Sequence, residues 1–197
     1  GVHPSLLPLY RGATPIQSVI LAGEETTGVT LFMVDAKVDH GPVIASREWV
    51  VGSSNYLQLE QELAQLGGDL LVEILPKISV GEITPIEQDH TKATLTKKFV
   101  SADGFIEPVD LALAQTEGGE IAKVIDRKIR ALNPEPSVWT MELGSRQQVV
   151  GSRRTEDSEQ KIAEGKRLKL LGANIIDGKL KLTRIQHEGK KPQILTS

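Results

Sequence analysis

The chain has 197 residues, of which 39% are hydrophobic and none is cysteine. The absence of cysteine excludes disulfide bonds, thiolate catalysis and zinc sites built from cysteine. The length and apolar content are enough for one large or two small domains. No apolar run reaches the roughly 20 residues that span a bilayer, so we expect a cytoplasmic protein without a membrane partner.

The formal net charge of −3 conceals an asymmetry between the two halves of the chain. Residues 1–88 carry four basic and eleven acidic side chains, a net charge of −7, whereas residues 89–197 carry nineteen and fifteen, a net charge of +4. Such asymmetry predicts two modules, one of which faces a polyanion. The alternative is that the basic residues only solvate an exposed surface, and charge alone does not decide between the two.

The first predicted elements are a strand end and a short helix. Val2 is apolar and ends a strand, so His3 stands where a strand gives way to a loop, which is where open α/β sheets place functional residues. A helix begins at Thr14 and Pro15, with threonine as the N-cap and proline at the first helical position. Gly23 ends this helix.

A predicted hairpin follows. The apolar run Gly28–Asp35 is typical of a buried strand, and Val43–Val50 is predicted to return as the next strand. Between them, residues 39–42 (Asp-His-Gly-Pro) turn the chain, which carries Asp39 back toward His3. An aspartate beside a histidine holds one tautomer and stabilises the protonated ring, as a proton-transfer site requires.

These motifs together resemble the folate-dependent formyltransferase family. The resemblance lies in His-Pro-Ser-Leu-Leu-Pro at residues 3–8, followed by Arg11-Gly12, Gly28-x-Thr30 and Asp39-x-Gly41. It implies that His3 and Asp39 are catalytic and that the co-substrate is 10-formyltetrahydrofolate, with no metal. It also implies that residues 34–40 line the pterin pocket. The residues implied to shape the folate site are Ser5, Leu6, Leu7 and Pro8.

One position departs from the family motif. Family members have an asparagine two positions before the histidine, where this chain has Gly1. Either Gly1 is left from a cloning site, or the protein lacks an amide that family enzymes use to polarise the formyl oxygen.

An amphipathic helix is predicted after the hairpin. Asn55 and the serines before it can cap a helix that starts near Tyr56, and leucines and isoleucines then recur every three or four residues up to Ile78. Gly67 and Gly68 weaken the middle of this helix by roughly 1 kcal/mol each, and Pro76 kinks or ends it. We assign residues 1–82 to the C-terminal half of a catalytic domain, 83–97 to a linker and 98–197 to a second domain.

The second domain is predicted to contain one helix and several short strands. The helix runs over residues 120–132 and is stopped by Asn133-Pro134, and a strand follows at 139–143. Residues 151–165 are charged and predicted to form an exposed loop. Period-two alternation predicts strands at 167–171 and 179–185, joined by a hairpin turn at Asp177-Gly178. The alternation puts Lys179 and Lys181 opposite leucines, on a basic face, and such strands indicate a small antiparallel barrel.

This half also resembles a family. Arg-Ala-Leu-Asn-Pro-x-Pro at residues 130–136 is similar to the helix-ending motif in the C-terminal domain of methionyl-tRNA formyltransferases, although Glu135 replaces the usual tryptophan. The segment 178–192 is similar to their last strand and tail. The resemblance implies an oligonucleotide-binding-type (OB-fold-like) barrel that helps to hold the tRNA. The expected fold is therefore α/β: the C-terminal part of a Rossmann-like formyltransferase domain followed by an OB-fold-like β-barrel.

The histidines other than His3 form no recognisable site. His40, His90 and His187 are too scattered in sequence for a local metal site. We expect His40 to be a solvated turn residue and the other two to lie on the surface.

The resemblance implies a formyl transfer from 10-formyltetrahydrofolate to the amino group of initiator methionyl-tRNA, in translation initiation. In the family, about a hundred residues precede the histidine loop, so we expect the chain to be a fragment that is inactive alone. We also expect its exposed sheet edge to allow self-association. The alternative function is a non-catalytic tRNA-binding module or a degenerate relative, in which only the basic half acts.

Overall fold

The computed structural model describes residues 1–142 and 165–195, and the chain divides into two units, Gly1–Phe99 and Val100–Ser197. The charged loop predicted over residues 151–165 lies, apart from Gly165, outside the described residues. Within the described ranges, none of the helices has the length and apolar character needed to cross a membrane.

The first unit contains a three-stranded antiparallel sheet and two α-helices. Its elements in chain order are β1 (Val2–His3), α1 (Pro15–Ala22), β2 (Thr26–Phe32), β3 (Val43–Val50) and α2 (Tyr56–Ser79). Strand β2 lies in the middle, and β1 and β3 pair with its two edges. The prediction of β3 is confirmed at both ends, whereas β2 begins and ends earlier than the predicted 28–35. The chain leaves β2 before Asp35, whose carboxylate accepts the Lys37 N–H in a turn.

The helix signals of this unit are confirmed. Thr14 occupies the N-cap position of α1, Pro15 is its first residue, and Gly23 ends it in the left-handed conformation with φ 75°. The Thr14 hydroxyl makes no capping hydrogen bond and donates instead to Lys97 O. Helix α2 starts with a capping box, in which Asn55 Oδ1 accepts the Gln58 N–H and Gln58 Oε1 accepts the Asn55 N–H. Pro76 lies inside α2, which continues for three more residues before it ends.

Helix α2 contacts the sheet closely at Gly67. A Cβ atom at this position would lie 3.0 Å from Val2 Cγ1 and 3.3 Å from Val29 Cγ1, whereas a Cβ atom on Gly68 would meet nothing within 4 Å. The leucines on the same face of α2 are buried against the sheet. Gly67 therefore allows the close approach of helix and sheet, while Gly68 faces solvent.

The segment predicted to be a linker forms hydrogen bonds within the first unit. Ile86 exchanges two backbone hydrogen bonds with Val43 in an antiparallel bridge. Arg11 donates its N–H to Thr94 O and accepts from Thr96 N. Residues 83–97 thus pack against the hairpin and against the loop after His3, and their assignment as a domain boundary stays a prediction.

The second unit combines two helices with a four-stranded antiparallel sheet. Its elements are α3 (Pro108–Thr116), α4 (Glu120–Leu132), β4 (Trp139–Met141), β5 (Arg167–Ile176), β6 (Lys179–His187) and β7 (Gln193–Ile194). The sheet has the order β4-β5-β6-β7 and is open over the described residues. The prediction of α4 is confirmed at both ends, α3 was not predicted, and the closed barrel stays a prediction.

The hairpin between β5 and β6 turns at Asp177-Gly178 as predicted, with φ 51° and 75°. Both strands extend beyond their predicted lengths. The predicted alternation is confirmed near the turn, where Leu180 is buried between the exposed Lys179 and Lys181. Register shifts around Gly172 then interrupt it, so that Ile185 is buried and Arg184 is exposed. The basic side chains on the opposite face are exposed, namely Lys169, Lys179, Lys181 and Arg184.

The adjacent glycines of α2 allow a matched test of this packing. We expect Gly67→Leu to lower the free energy of unfolding of the first unit by about 1–3 kcal/mol, because the new side chain overpacks the contact with Val2 and Val29. The control, Gly68→Leu, gains helix propensity without a clash and should raise it by about 0.5–1 kcal/mol. Hydrogen exchange of α2 peptides in increasing urea measures both effects, and equal shifts for the two variants would contradict the close contact.

Candidate active site

His3 is buried at the end of β1, with 5% of its surface exposed. It pairs with Thr30 of the central strand in the β1–β2 register, which fixes its backbone. Its Nε2 atom lies 2.9 Å from the carbonyl oxygen of Tyr10. Because a carbonyl only accepts hydrogen bonds, Nε2 carries a proton and Nδ1 is the nitrogen available for a second partner.

That second partner is Asp39. Its Oδ2 atom lies 3.6 Å from His3 Nδ1 and accepts the Gly12 N–H at 2.8 Å. The connection between β2 and β3 therefore places Asp39 beside His3, as the sequence pattern predicts. In the protonated ring both N–H groups face an acceptor, Tyr10 O on one side and the Asp39 carboxylate on the other. With an acceptor opposite each ring nitrogen, the His3 ring is oriented as a group that moves or holds a proton requires.

The loop after His3 is held by the hydroxyl group of Thr30. Thr30 Oγ1 donates to Ser5 O at 2.7 Å and accepts from Leu7 N at 3.0 Å. Ser5 Oγ donates to Leu9 O at 2.6 Å, and the Ser5 and Leu7 side chains are buried. Of the four residues predicted to shape a folate site, only Leu6 and Pro8 are partly exposed.

Sequence reasoning missed Gln88, which is buried with 6% of its surface exposed. Its Oε1 atom accepts from Arg11 Nε at 3.2 Å and from Arg11 Nη2 at 2.6 Å. Its Nε2 atom donates to Asp39 O at 3.0 Å and to Gly41 O at 2.7 Å. Gln88 comes from a proline-containing polar segment without periodicity, and such a segment gives no signal that one amide is buried.

Two further histidines lie beside this network. The rings of His40 and His90 are stacked, with centroids 3.9 Å apart. His40 Nδ1 donates to Asp35 Oδ2 at 2.7 Å, and Arg11 Nη2 donates to His90 Nδ1 at 2.9 Å. Hydrogen bonds from the Lys37 backbone and then from His40 lower the pKa of Asp35. His40, expected as a solvated turn residue, is thus half-buried, and the exposed His90 has defined partners.

Tyr10 connects His3 to a neighbouring cavity. The cavity has a volume of about 400 Å³, and its lining includes the apolar side chains of Leu9 and Leu21 and the ring of Tyr10. Burial, followed by the hydrogen bond to Glu24, raises the pKa of Tyr10, so its hydroxyl stays protonated and donates to Glu24 Oε1 at 2.6 Å.

In the part of the chain that the structure describes, no cluster of three potential metal ligands is found.

Comparisons with known proteins show the family of the chain. The formyl transferase family model matches residues 1–75, and the model of the formyl transferase C-terminal domain matches residues 120–196. A methionyl-tRNA formyltransferase of Chloroflexus aurantiacus is 43% identical over 153 residues, which cover 76% of this chain and 46% of the relative. That of Roseiflexus sp. is 36% identical over 196 residues, covering 98% of this chain and 57% of the relative. The chain thus spans about half the length of the curated relatives it matches.

Solved structures show the same fold at lower identity. The methionyl-tRNA formyltransferase from Clostridium thermocellum matches with a TM-score of 0.59 and 18% identity, over 94% of this chain and 66% of that chain. HypX from Aquifex aeolicus in complex with tetrahydrofolic acid matches with a TM-score of 0.62 and 18% identity, over 98% of this chain and 33% of that chain. These matches show the α/β formyltransferase fold. With both family models matched, the chain belongs to the formyl transferase family.

Proposed function

We propose that this chain is the C-terminal part of an enzyme that transfers a formyl group from 10-formyltetrahydrofolate to the amino group of initiator methionyl-tRNA. Family membership supports formyl transfer, and the relatives at 34–43% identity, all named methionyl-tRNA formyltransferases, support this acceptor. The observation that carries the proposal is the approach of Asp39 Oδ2 to His3 Nδ1, 3.6 Å apart, beside the His-Pro-Ser-Leu-Leu-Pro loop.

In the proposed reaction, the amine of methionyl-tRNA attacks the formyl carbon directly. A carbon–nitrogen bond forms to the amine, the bond from the formyl carbon to N10 of the folate breaks, and the proton lost by the amine ends on N10. His3 in its protonated form stabilises the oxyanion that develops and assists the proton movement, while Asp39 keeps the ring charged and oriented. Because His3 Nδ1 faces Asp39, His3 uses its Nε2–H group in the reaction. This group must then leave the Tyr10 carbonyl and donate to the oxygen of the formyl group.

The folate site is assigned to the loop of residues 5–8 and to residues 34–40. Leu6 and Pro8 offer apolar contact because they are partly exposed, whereas Ser5 and Leu7 act by fixing the backbone. Val34, at the start of the second segment, is 73% exposed, which suits contact with a planar pterin ring.

The second unit is assigned to tRNA binding, as an OB-fold-like barrel with a basic face on β5 and β6. Support comes from the antiparallel sheet and from the exposed lysines opposite buried leucines. We assign the enzyme to the cytoplasm, and self-association through the free edge of β1 remains part of the proposal.

A second candidate is a non-catalytic tRNA-binding protein or a degenerate relative. Gly1, where the family has asparagine, favours it, and a Cβ atom at this position would lie 2.6 Å from the ring of the buried Phe32. Folate binding in the absence of tRNA distinguishes the two functions, because only the enzyme requires it.

Replacement of Asp39 by Asn tests the active site. In the full-length protein, Asp39→Asn should lower kcat for formylation of methionyl-tRNA by at least about a hundredfold, because a neutral amide no longer stabilises protonated His3. The fold should be kept, since an amide oxygen still accepts the Gly12 N–H. Asp69→Asn on the exposed face of α2 is the matched control, and near-normal turnover of Asp39→Asn would refute the assigned role.

The 197 residues alone should not transfer a formyl group, because the chain spans only about half of its relatives. A single-turnover assay with 10-formyltetrahydrofolate and methionyl-tRNA checks this expectation. Formylmethionyl-tRNA produced by the purified chain would show that these residues are a sufficient enzyme.

The basic face predicts salt-dependent tRNA binding by the whole chain. Affinity should fall steeply between 50 and about 200 mM salt, because phosphate contacts release counterions. Lys179→Ala with Lys181→Ala should weaken binding and reduce the slope of log affinity against log salt by about one per lysine. Lys77→Ala with Lys123→Ala removes the same charge from two helices as a control. Binding that both pairs of substitutions weaken equally would argue against a defined basic face.

A further inference from the structure

The amide of Gln88 connects the two chain segments that define the position of Asp39. Its NH₂ group donates to two backbone carbonyls, those of Asp39 and Gly41. Its oxygen accepts two hydrogen bonds from Arg11, the residue before Gly12, whose N–H donates to the Asp39 carboxylate. The buried amide of Gln88 therefore holds the backbone of Asp39. It also holds Arg11, the neighbour of the Gly12 N–H that donates to Asp39.

The turn that carries Asp39 needs such support. Asp39 has φ 46°, in the left-handed region that is unfavourable for a residue with a side chain. Gly41 lies so close to the backbone just after β2 that a Cβ atom would be 1.9 Å from Met33 O. The conformation of residues 39–41 is therefore defined by contacts from outside the turn, and the two hydrogen bonds from Gln88 are made to its backbone.

The Arg11 guanidinium makes the N–H groups of the Gln88 side chain stronger hydrogen-bond donors. Two N–H groups of a buried guanidinium, with 6% of the residue exposed, point at the amide oxygen. A charge on the acceptor side polarises the amide and makes its N–H groups better donors, an effect that is larger in a buried site. All four hydrogen-bonding positions of the Gln88 side chain are then used, two as acceptor and two as donor.

We propose that Gln88 is a positioning residue that holds the Asp39 carboxylate against His3 by fixing the backbone of residues 39–41. Gln88 lies 49 positions from Asp39 in sequence. Its four hydrogen bonds involve Arg11 and two backbone carbonyls, and none is made to the His3 ring or to the Asp39 carboxylate. The role of Gln88 in catalysis rests on the proposed formyl transfer, whereas the effect of Gln88 on the geometry of Asp39 does not.

The test uses Gln88→Glu in this chain. Glutamate has the same shape and still accepts both hydrogen bonds from Arg11, but it has no N–H to give to Asp39 O and Gly41 O. We expect the Gly12 amide, measured by NMR hydrogen exchange, to exchange about tenfold faster, because its acceptor carboxylate is released. The ¹⁵N shifts of the His3 ring should change as well, while amides of α2 and β3 keep their protection.

Two further variants keep the test decisive. Gln88→Met removes the donors, together with the oxygen that accepts from Arg11, and places no charge next to the carbonyls, so it should also release Asp39 and Gly12 even if Gln88→Glu does not fold. Gln65→Glu makes the same chemical change on the exposed face of α2 and should leave Gly12 and His3 unchanged. Unchanged Gly12 exchange and His3 shifts in Gln88→Met would overturn the proposal, as would an equal loss of protection throughout the first unit.

Kinetics of the full-length protein add a second measurement. Gln88→Met should lower kcat for formylation by at least about tenfold with little change in KM, the pattern expected when a group is displaced in the transition state. Local release of Gly12 with normal kcat would refute a role for Gln88 in the reaction. A wild-type protein without formylation activity would refute the proposed function, and the NMR result would still decide whether Gln88 holds Asp39.

Discussion

The buried hydroxyl group of Thr30 is the interaction on which the candidate site depends. Thr30 lies in the central strand of the first unit, pairs with His3 across the sheet, and binds both Ser5 O and Leu7 N. Its side chain is fully buried, so these hydrogen bonds are not exchanged for bonds to water and are costly to leave unmade. One hydroxyl group therefore defines the path of the loop that leaves His3, and the Tyr10 carbonyl at the end of that loop meets the His3 ring.

Local signals predicted much of this fold. The ends of α1 follow from Pro15 and Gly23, because a proline at the first helical position and a left-handed terminus depend on neighbouring residues only. The same holds for the capping box at Asn55 and for the turn at Asp177-Gly178. The approach of Asp39 to His3 also agrees with the expected hairpin, since a connection between paired strands returns the chain to the same edge.

Long-range contacts were not predictable in this way. Burial of Arg11 and Gln88 depends on a meeting of segments 77 positions apart, and nothing in either segment signals it, because both residue types are usually exposed. Helix α3 was missed because its buried residues, Leu111 and Ala114, are too few to define a period. A closed barrel needs pairing between its first and last strands, which hairpin signals between neighbours do not specify.

The close contact at Gly67 has a consequence for how firmly His3 is held. Most helix–sheet contacts are made by long side chains, which lose rotamer freedom when they pack. At Gly67 the backbone of α2 itself meets Val2 and Val29, two residues whose branched side chains are already restricted about χ1. The contact between Gly67 and Val2, the residue before His3, is thus formed with almost no loss of side-chain entropy. The free energy of this contact should therefore depend little on side-chain motion as the temperature changes.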